Sequence, residues 1–239
     1  MSELNGVLPV DKPEGPTSHD VVATARRALR TRRIGHTGTL DPFASGLLLL
    51  CLGPSTRLAE YLTSLPKSYA ATIRLGAATD TDDLTGEVTA SDEGWRDVTP
   101  EAAAEALTRQ VGTILQRPPA YSAKKVKGER MYAAARRGDV VELSPVEVTI
   151  DAIRVRRYVP PLLDIEVDCG SGTYIRAIAR DLGEALGVPV IYHELIDQLA
   201  DRMRVRKSHV IRLLDGSAGL LERLTADKTS LAIFTAEEI

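Results

Sequence analysis

The stretch Arg33-Ile34-Gly35-His36-Thr37-Gly38-Thr39-Leu40-Asp41-Pro42-Phe43-Ala44-Ser45-Gly46, followed at once by Leu47-Leu48-Leu49-Leu50-Cys51-Leu52, limits the fold more than any other part of the chain. The uninterrupted apolar run between Gly46 and Gly53 reads as a strand buried in a core. The residues ahead of it cannot simply extend that strand. Gly35, Gly38 and Gly46 permit positive φ, and Pro42 pushes Asp41 toward extended backbone. Asp41 therefore stands on a stiffened, non-helical segment at the edge of a core, a good mount for a reactive carboxylate. On local chemistry alone the same residues also make an ordinary glycine-rich turn whose aspartate caps its own backbone.

A chain of 239 residues is long enough for one large domain or a domain with an appended lobe. Hydrophobic content of 44% and charged content of 26% place it among soluble globular proteins. Neither a signal peptide nor an apolar run long enough to span a bilayer is evident, so a cytoplasmic location without membrane association is expected. Cys51 and Cys169 lie in strand-like apolar contexts and read as reduced core thiols. No Cys/His grouping has zinc-site spacing. The net charge of −3 argues against a generally basic nucleic-acid binder. The cations are clustered, however. Arg26, Arg27, Arg30, Arg32 and Arg33 lead into the Asp41 loop, and Arg117, Lys124, Lys125, Lys127, Arg130, Arg136 and Arg137 make a second basic segment. Such clusters can track a phosphate backbone, or form solvated helix faces.

Taken in order, Gly6–Val10 reads as an opening strand, with Pro9 favouring an edge position. Thr17 or Ser18 caps a helix running to about Arg30. A second helix is expected over roughly Ser55–Leu65, with Leu58, Tyr61, Leu62 and Leu65 facing inward. Tyr69–Leu75 alternates like a half-buried strand. Asp80, Asp82, Asp83 and Glu87 form an acidic surface loop that lacks the glycine of an EF-hand. Thr99-Pro100-Glu101 starts a helix expected to reach Leu115. Glu129–Arg137 reads as a short basic helix. Val146–Arg156 and Leu162–Cys169 look like paired strands, and Tyr174–Leu186 is helical with Gly187 as its stop. Leu195–Leu214 carries a helix-turn-helix-like periodicity.

Gly35-His36-Thr37-Gly38-Thr39-Leu40-Asp41-Pro42 resembles the signature of the TruB-type tRNA pseudouridine synthases, the tRNA pseudouridine-55 synthase family, with Asp41 at the family's catalytic aspartate. Asp11-Lys12-Pro13 with Gly15-Pro16-Thr17-Ser18, Lys67-Ser68-Tyr69, the Thr79 to Gly86 loop, Arg117-Pro118-Pro119-Ala120-Tyr121-Ser122-Ala123 and Gly172-Thr173-Tyr174-Ile175-Arg176 match in the family's order. The resemblance implies an α+β pseudouridine synthase fold. That fold has a large mixed, mainly antiparallel sheet, flanking helices and an inserted basic lobe. The catalytic domain would span 1–187, with an RNA-clasping insertion at about 117–140. Residues 188–239 would be a diverged tail, because the chain ends too early for the full C-terminal RNA-binding domain of many relatives. Where the family has a leucine followed by paired arginines, this chain has Glu194-Leu195-Ile196-Asp197.

The implied activity is isomerisation of uridine to pseudouridine in the T-arm of tRNA, at position 55. It needs no metal, nucleotide or redox cofactor and no obligate protein partner. The resemblance makes Asp41 the nucleophile or base and Arg176 the arginine that pairs with it. It puts Tyr69 and Tyr174 on the walls of the base pocket, His36 beside the displaced base and Leu195 against the substrate. A uridine inside folded RNA must be flipped out to reach such a site. Lys124, Lys125, Lys127 and Arg130 would meet the RNA backbone. A guide-RNA-dependent synthase, or a catalytically idle RNA-binding or RNA-folding module, are the alternatives. The family arginine apart, Arg176 would read as an exposed helix residue.

Overall fold

The computed structural model describes residues 4–119 and 144–197, together with the strand pairs 125–126 and 129–130 and the strand 211–212. The contacts gather into two units, residues 1–65 with 196–239 and residues 66–195.

The first unit is built on β3 (Ser45–Leu52), the apolar run of the sequence. β1 (Gly6–Lys12) pairs with it antiparallel along its whole length, from Gly6 opposite Leu52 to Lys12 opposite Gly46. On its other side β2 (Ile34–His36) covers Leu50 to Leu52, and the end of β12 (Val190–Asp197) places Ile196 and Asp197 beside Ser45 and Gly46. β13 (Ile211–Arg212) pairs with Val10 and Asp11 of β1. The expected edge strand is thus flanked on both sides, with β13 beside Val10 and Asp11. Strand alternation explains why β3 is apolar throughout. Leu48, Leu50 and Leu52 pack with Val21, Val22, Ala25 and Leu29 of the first helix, while Leu47, Leu49 and Cys51 pack with Leu62 on the opposite face.

That first helix, α1 (Ser18–Ala28), starts at a full capping box: the Thr17 hydroxyl accepts from the Asp20 N–H, and the Asp20 carboxylate accepts from the Thr17 N–H at 2.9 Å. It stops short of Arg30. Thr31 N–H donates to the Arg26 carbonyl and Arg30 N–H to that of Arg27, a Schellman end in which Arg30 takes the left-handed position with φ of 50°. Glycine is the residue that fits that position without strain. After β3 the chain makes a 3-10 turn, η1 (Gly53–Leu58), before α2 (Ala59–Ser64). The expected continuous helix is therefore split, and the change of pitch rotates its faces: Leu62 is buried but Tyr61 is 64% exposed.

The second unit is a sheet in the order β12, β4 (Lys67–Leu75), β11 (Leu162–Cys169), β10 (Val146–Val159), β7 (Gly112–Gln116). β4, β11, β10 and β7 are antiparallel to their neighbours. Ile73 and Leu75 on β4, Leu163, Ile165 and Val167 on β11 and Ile150 on β10 bury one face of it. α3 (Pro100–Thr108) and α4 (Ile175–Leu186) pack together, and the Gln110 amide donates to the Ile178 carbonyl at 3.2 Å. α3 ends well before Leu115. Gly112 sits at φ of 107°, which L side chains rarely adopt, and the Thr-Ile-Leu that follows suits a strand. α4 runs as expected and stops at Gly187 in the left-handed conformation, φ 69°.

A small hairpin, β5 (Ala77–Thr79) with β6 (Val88–Ser91), frames the acidic loop. In the segment read as an insertion, β8 (Lys125–Val126) pairs with β9 (Glu129–Arg130), so the start of the expected basic helix is a strand. The rest of that helix lies outside the described residues. Leu195 is in β12, so the expected helical periodicity from Leu195 begins in extended chain.

Candidate active site

The site residues fall into two groups, one in each unit. In the first unit, the segment from Thr37 to Ala44 leaves β2 and returns to β3, with Asp41 half-buried on it. Lys12 explains why so glycine-rich a segment holds one shape. Its side chain is fully buried, and its ammonium donates to the carbonyls of Pro13 at 3.0 Å, Pro42 at 3.2 Å and Ala44 at 2.5 Å. Two of those acceptors lie one and three residues past Asp41. Gly15 N–H donates to the Pro42 carbonyl at 2.8 Å, and Ala44 N–H closes a turn on the Asp41 carbonyl at 3.1 Å. Just ahead of Asp41, the Ser18 hydroxyl donates to the Leu40 carbonyl and accepts from the Leu40 N–H. The backbone on both sides of the carboxylate is thus fixed by groups distant in sequence.

Burial lowers the Lys12 pKa from 10.5 to about 8, against the pull of Asp41 and Glu14, which raise it. A lysine so placed is still charged at neutral pH and gives Asp41 a cationic neighbour. His36 ends β2 and is half-buried. Its Nδ1 donates to the Gly38 carbonyl, and its ring meets that of His19 edge-on, centroids 5.5 Å apart. His36 is thus held by a strand, a hydrogen bond and a ring contact rather than waving from a turn.

In the second unit, Tyr69 lies half-buried on β4 opposite Val167, and β11 leads through Gly170–Thr173 to Tyr174 and α4. Tyr174 is the N-cap residue of α4. The buried Gln116 amide pins its backbone from both sides, accepting from the Tyr174 N–H at 2.8 Å and donating to its carbonyl at 3.1 Å. Arg176, two residues on, is 6% exposed. Its Nη1 lies 3.2 Å from Asp83 Oδ2 and donates to the Thr81 carbonyl at 3.1 Å. Arg176 is thus not the exposed helix residue it would read as without the family match, and the expectation of a purely surface acidic loop is overturned, because Asp83 is only 4% exposed. Its other oxygen accepts from the Thr81 hydroxyl at 2.8 Å, the Thr85 hydroxyl at 2.6 Å and the Thr85 N–H at 2.9 Å. A carboxylate with these partners is what allows an arginine to be buried here. One helical turn on, Arg180 bridges Asp82 at 3.3 Å and the Arg117 carbonyl at 2.7 Å. Burial pushes the Asp82 carboxyl up, against Arg180 and Arg176.

Lys12, Asp83 and Gln116 were not picked out from sequence. Lys12 and Asp83 stood inside matched segments, and Thr81 and Thr85 two residues either side of Asp83 are the local signal of a bound carboxylate. The side chains of Leu195, Lys125 and Arg130, and all of Lys124 and Lys127, lie outside the described residues. Among the described residues no group of His, Cys, Asp and Glu is arranged to hold a metal ion, and no helix is long and apolar enough to cross a membrane.

The fold is that of the pseudouridine synthases. It superimposes with a TM-score of 0.69 on a structure described as a Cbf5-Nop10-Gar1 complex, 26% identical, over 95% of this chain and 58% of that one. A second likeness, at 24% identity and a TM-score of 0.68, is to an H/ACA RNP bound to a substrate RNA containing 2'-deoxyuridine. Residues 26–175 match the model of the TruB family pseudouridylate synthase, N terminal domain, and the chain belongs to that family. It is 47% identical over 190 residues to the tRNA pseudouridine synthase B of Corynebacterium diphtheriae, covering 77% of this chain and 63% of that protein. It is 45% identical over 223 residues to the enzyme of the same name from Leifsonia xyli, covering 91% and 74%.

Proposed function

We propose that this chain converts uridine to pseudouridine in the T-arm of tRNA, at position 55, with Asp41 as the nucleophile or base. The observation that carries the reading is the clamp on the Asp41 segment: a buried cation and a serine fix the backbone on both sides of a carboxylate that stands in the family's signature. The reaction breaks the C1′–N1 bond, turns the uracil and joins C1′ to C5, and the C5 hydrogen leaves as a proton. Tyr69 and Tyr174 would line the pocket for the flipped base, as would His36. Arg176 would supply the positive charge. Leu195 would touch the substrate, and Lys124, Lys125, Lys127 and Arg130 the RNA backbone. No metal or cofactor takes part in this scheme, and the chain is expected to act on tRNA without an obligate protein partner, in the cytoplasm. The test is tritium release from an unmodified tRNA transcript labelled at uridine C5. One tritium per tRNA should be released, and none from a transcript with cytidine at position 55. Release from both transcripts, or from neither, would refute the assignment.

The lysine clamp gives this reaction a pH signature. The folded-state pKa of Lys12 lies below its unfolded value, so between about 8 and 10.5 the unfolded chain holds more protons. The contribution of this group to stability is therefore lowest below about pH 8 and rises across that window. The rate runs the other way, because a neutral amine grips carbonyls less well and offers Asp41 no charge. The single-turnover rate should fall on the alkaline side with a midpoint near 8, and Lys12→Met should lower the rate throughout and flatten that limb. A wild-type profile that shows no such fall would separate Lys12 from catalysis.

A further inference from the structure

Two rulers in the first unit run from the Asp41 segment to the opposite end of its sheet. α1 is stitched at Ser18 to Leu40, and its last residues lie about 16 Å farther along at 1.5 Å per residue. β3 starts just after the Asp41 segment and reaches Leu52 roughly 20 Å away, where Ile34 and Gly6 pair with it. The arginines that the sequence shows leading into the Asp41 loop therefore gather at the far end. Arg26, Arg27 and Arg30 close α1, Arg32 and Arg33 precede β2, and Arg57 stands on η1. The Arg33 carbonyl accepts from the Gly53 N–H, and its side chain donates to the Thr56 hydroxyl, so these segments share one surface. All six arginines are exposed, Arg26 and Arg27 also donating to the Ile34 carbonyl and the Thr24 hydroxyl, and none makes an ion pair with a described carboxylate. Glu60 on α2 is the neighbouring acid, and it does not pair with Arg57 either. In a chain of net charge −3, this is a local concentration of cations that no described carboxylate neutralises.

We propose that this end of the first unit is a second docking surface for the phosphate backbone of the RNA, roughly 20 Å from Asp41 and separate from the site that takes the base. The inference rests on the reading of the chain as an RNA-modifying enzyme. Guanidinium groups spread over a helix end, a loop and a 3-10 turn suit a curved row of phosphates better than a single anion. Arg30 supports this independently. It occupies the left-handed helix stop where glycine would fit the backbone better, so a cation is presented at a point of local strain. The occupant assigned to this surface is tRNA outside the T-arm stem-loop, the part that a full transcript has and an isolated stem-loop lacks.

The experiment compares the full-length protein with Arg30→Gly and with the combination Arg30→Gly, Arg32→Gln, Arg57→Gln, measuring affinity for a full tRNA transcript and for a T-arm stem-loop over a range of salt. Arg30→Gly should raise the unfolding midpoint by about 2–4 °C while weakening full-tRNA binding, which no folding defect can produce. The combination should weaken full-tRNA binding by about tenfold or more and lower the log–log salt slope by about 2–3 units, with stem-loop affinity changed far less. Unchanged tRNA affinity and slope would overturn the proposal, as would a surface that serves an acidic protein instead. Equal losses on both RNAs would overturn it too, by showing a diffuse field rather than a remote contact. Because binding needs no turnover, failure of tritium release would sink the catalytic reading and leave this result standing by itself.

Discussion

Asp41→Asn should abolish isomerisation, lowering the single-turnover rate by about 10⁴-fold or more, the scale on which removing one member of a reactive unit acts. The substitution keeps the side-chain outline and the backbone that Lys12 and Ser18 hold, so the protein should fold and bind tRNA within about threefold of wild type. What it removes is the charge needed for attack or proton abstraction. It also removes one of the two carboxylates that raise the Lys12 pKa, so Lys12 should titrate lower still in the variant. Quench-flow with a saturating excess of enzyme measures the chemical step, and filter binding measures the affinity. Residual isomerisation within about a hundredfold of wild type would take Asp41 out of the chemistry.

Asp83→Ala should destabilise the fold by about 3–5 kcal/mol, because it strips the carboxylate from a guanidinium that is 7% exposed. The threonines that converge on Asp83 would lose their acceptor as well, which adds to the loss. Asp83→Ala combined with Arg176→Met should be more stable than Asp83→Ala alone, because the second change removes a buried charge that the first deprives of the Asp83 carboxylate. Both variants should be inactive if Arg176 serves the site. Urea unfolding separates these cases. If Asp83→Ala costs less than about 1 kcal/mol, the Asp83 carboxylate is not what allows Arg176 to be buried.

Local pattern made some of this legible and hid the rest. The apolar run of β3, the capping residue of α1 and the glycine stop of α4 are written within a few neighbouring residues, and the chain obeys them. Nothing near Lys12 in sequence marks it as a clamp, because its acceptors at Pro42 and Ala44 come from far along the chain. Asp83 looked like one acid of a surface loop because its arginine is on a helix 93 residues away. The Ala-rich periodicity of α3 runs on into Val111, and Gly112 at positive φ ends what the local pattern would continue. A regular helical wheel puts Tyr61 in the core, and the 3-10 turn ahead of α2 changes that phase. The candidate site was visible as motifs in order. The clamp that shapes it became visible only when strand pairing brought Lys12 opposite Gly46.

The burial of β3 on both faces has a consequence for the life of the chain before it is folded. Leu47–Leu52 carries no charge and no proline, and in an unfolded chain such a hexapeptide is a template for stacking against copies of itself. In the native sheet both of its edges are taken, by β1 on one side and by β2 and β12 on the other. The Gly53-Pro54 pair just beyond it breaks any longer run of pairing between chains. Heating this protein should therefore be a one-way event: once β3 is stripped of its neighbours, precipitation would compete with refolding, and the time spent open would matter more than the equilibrium.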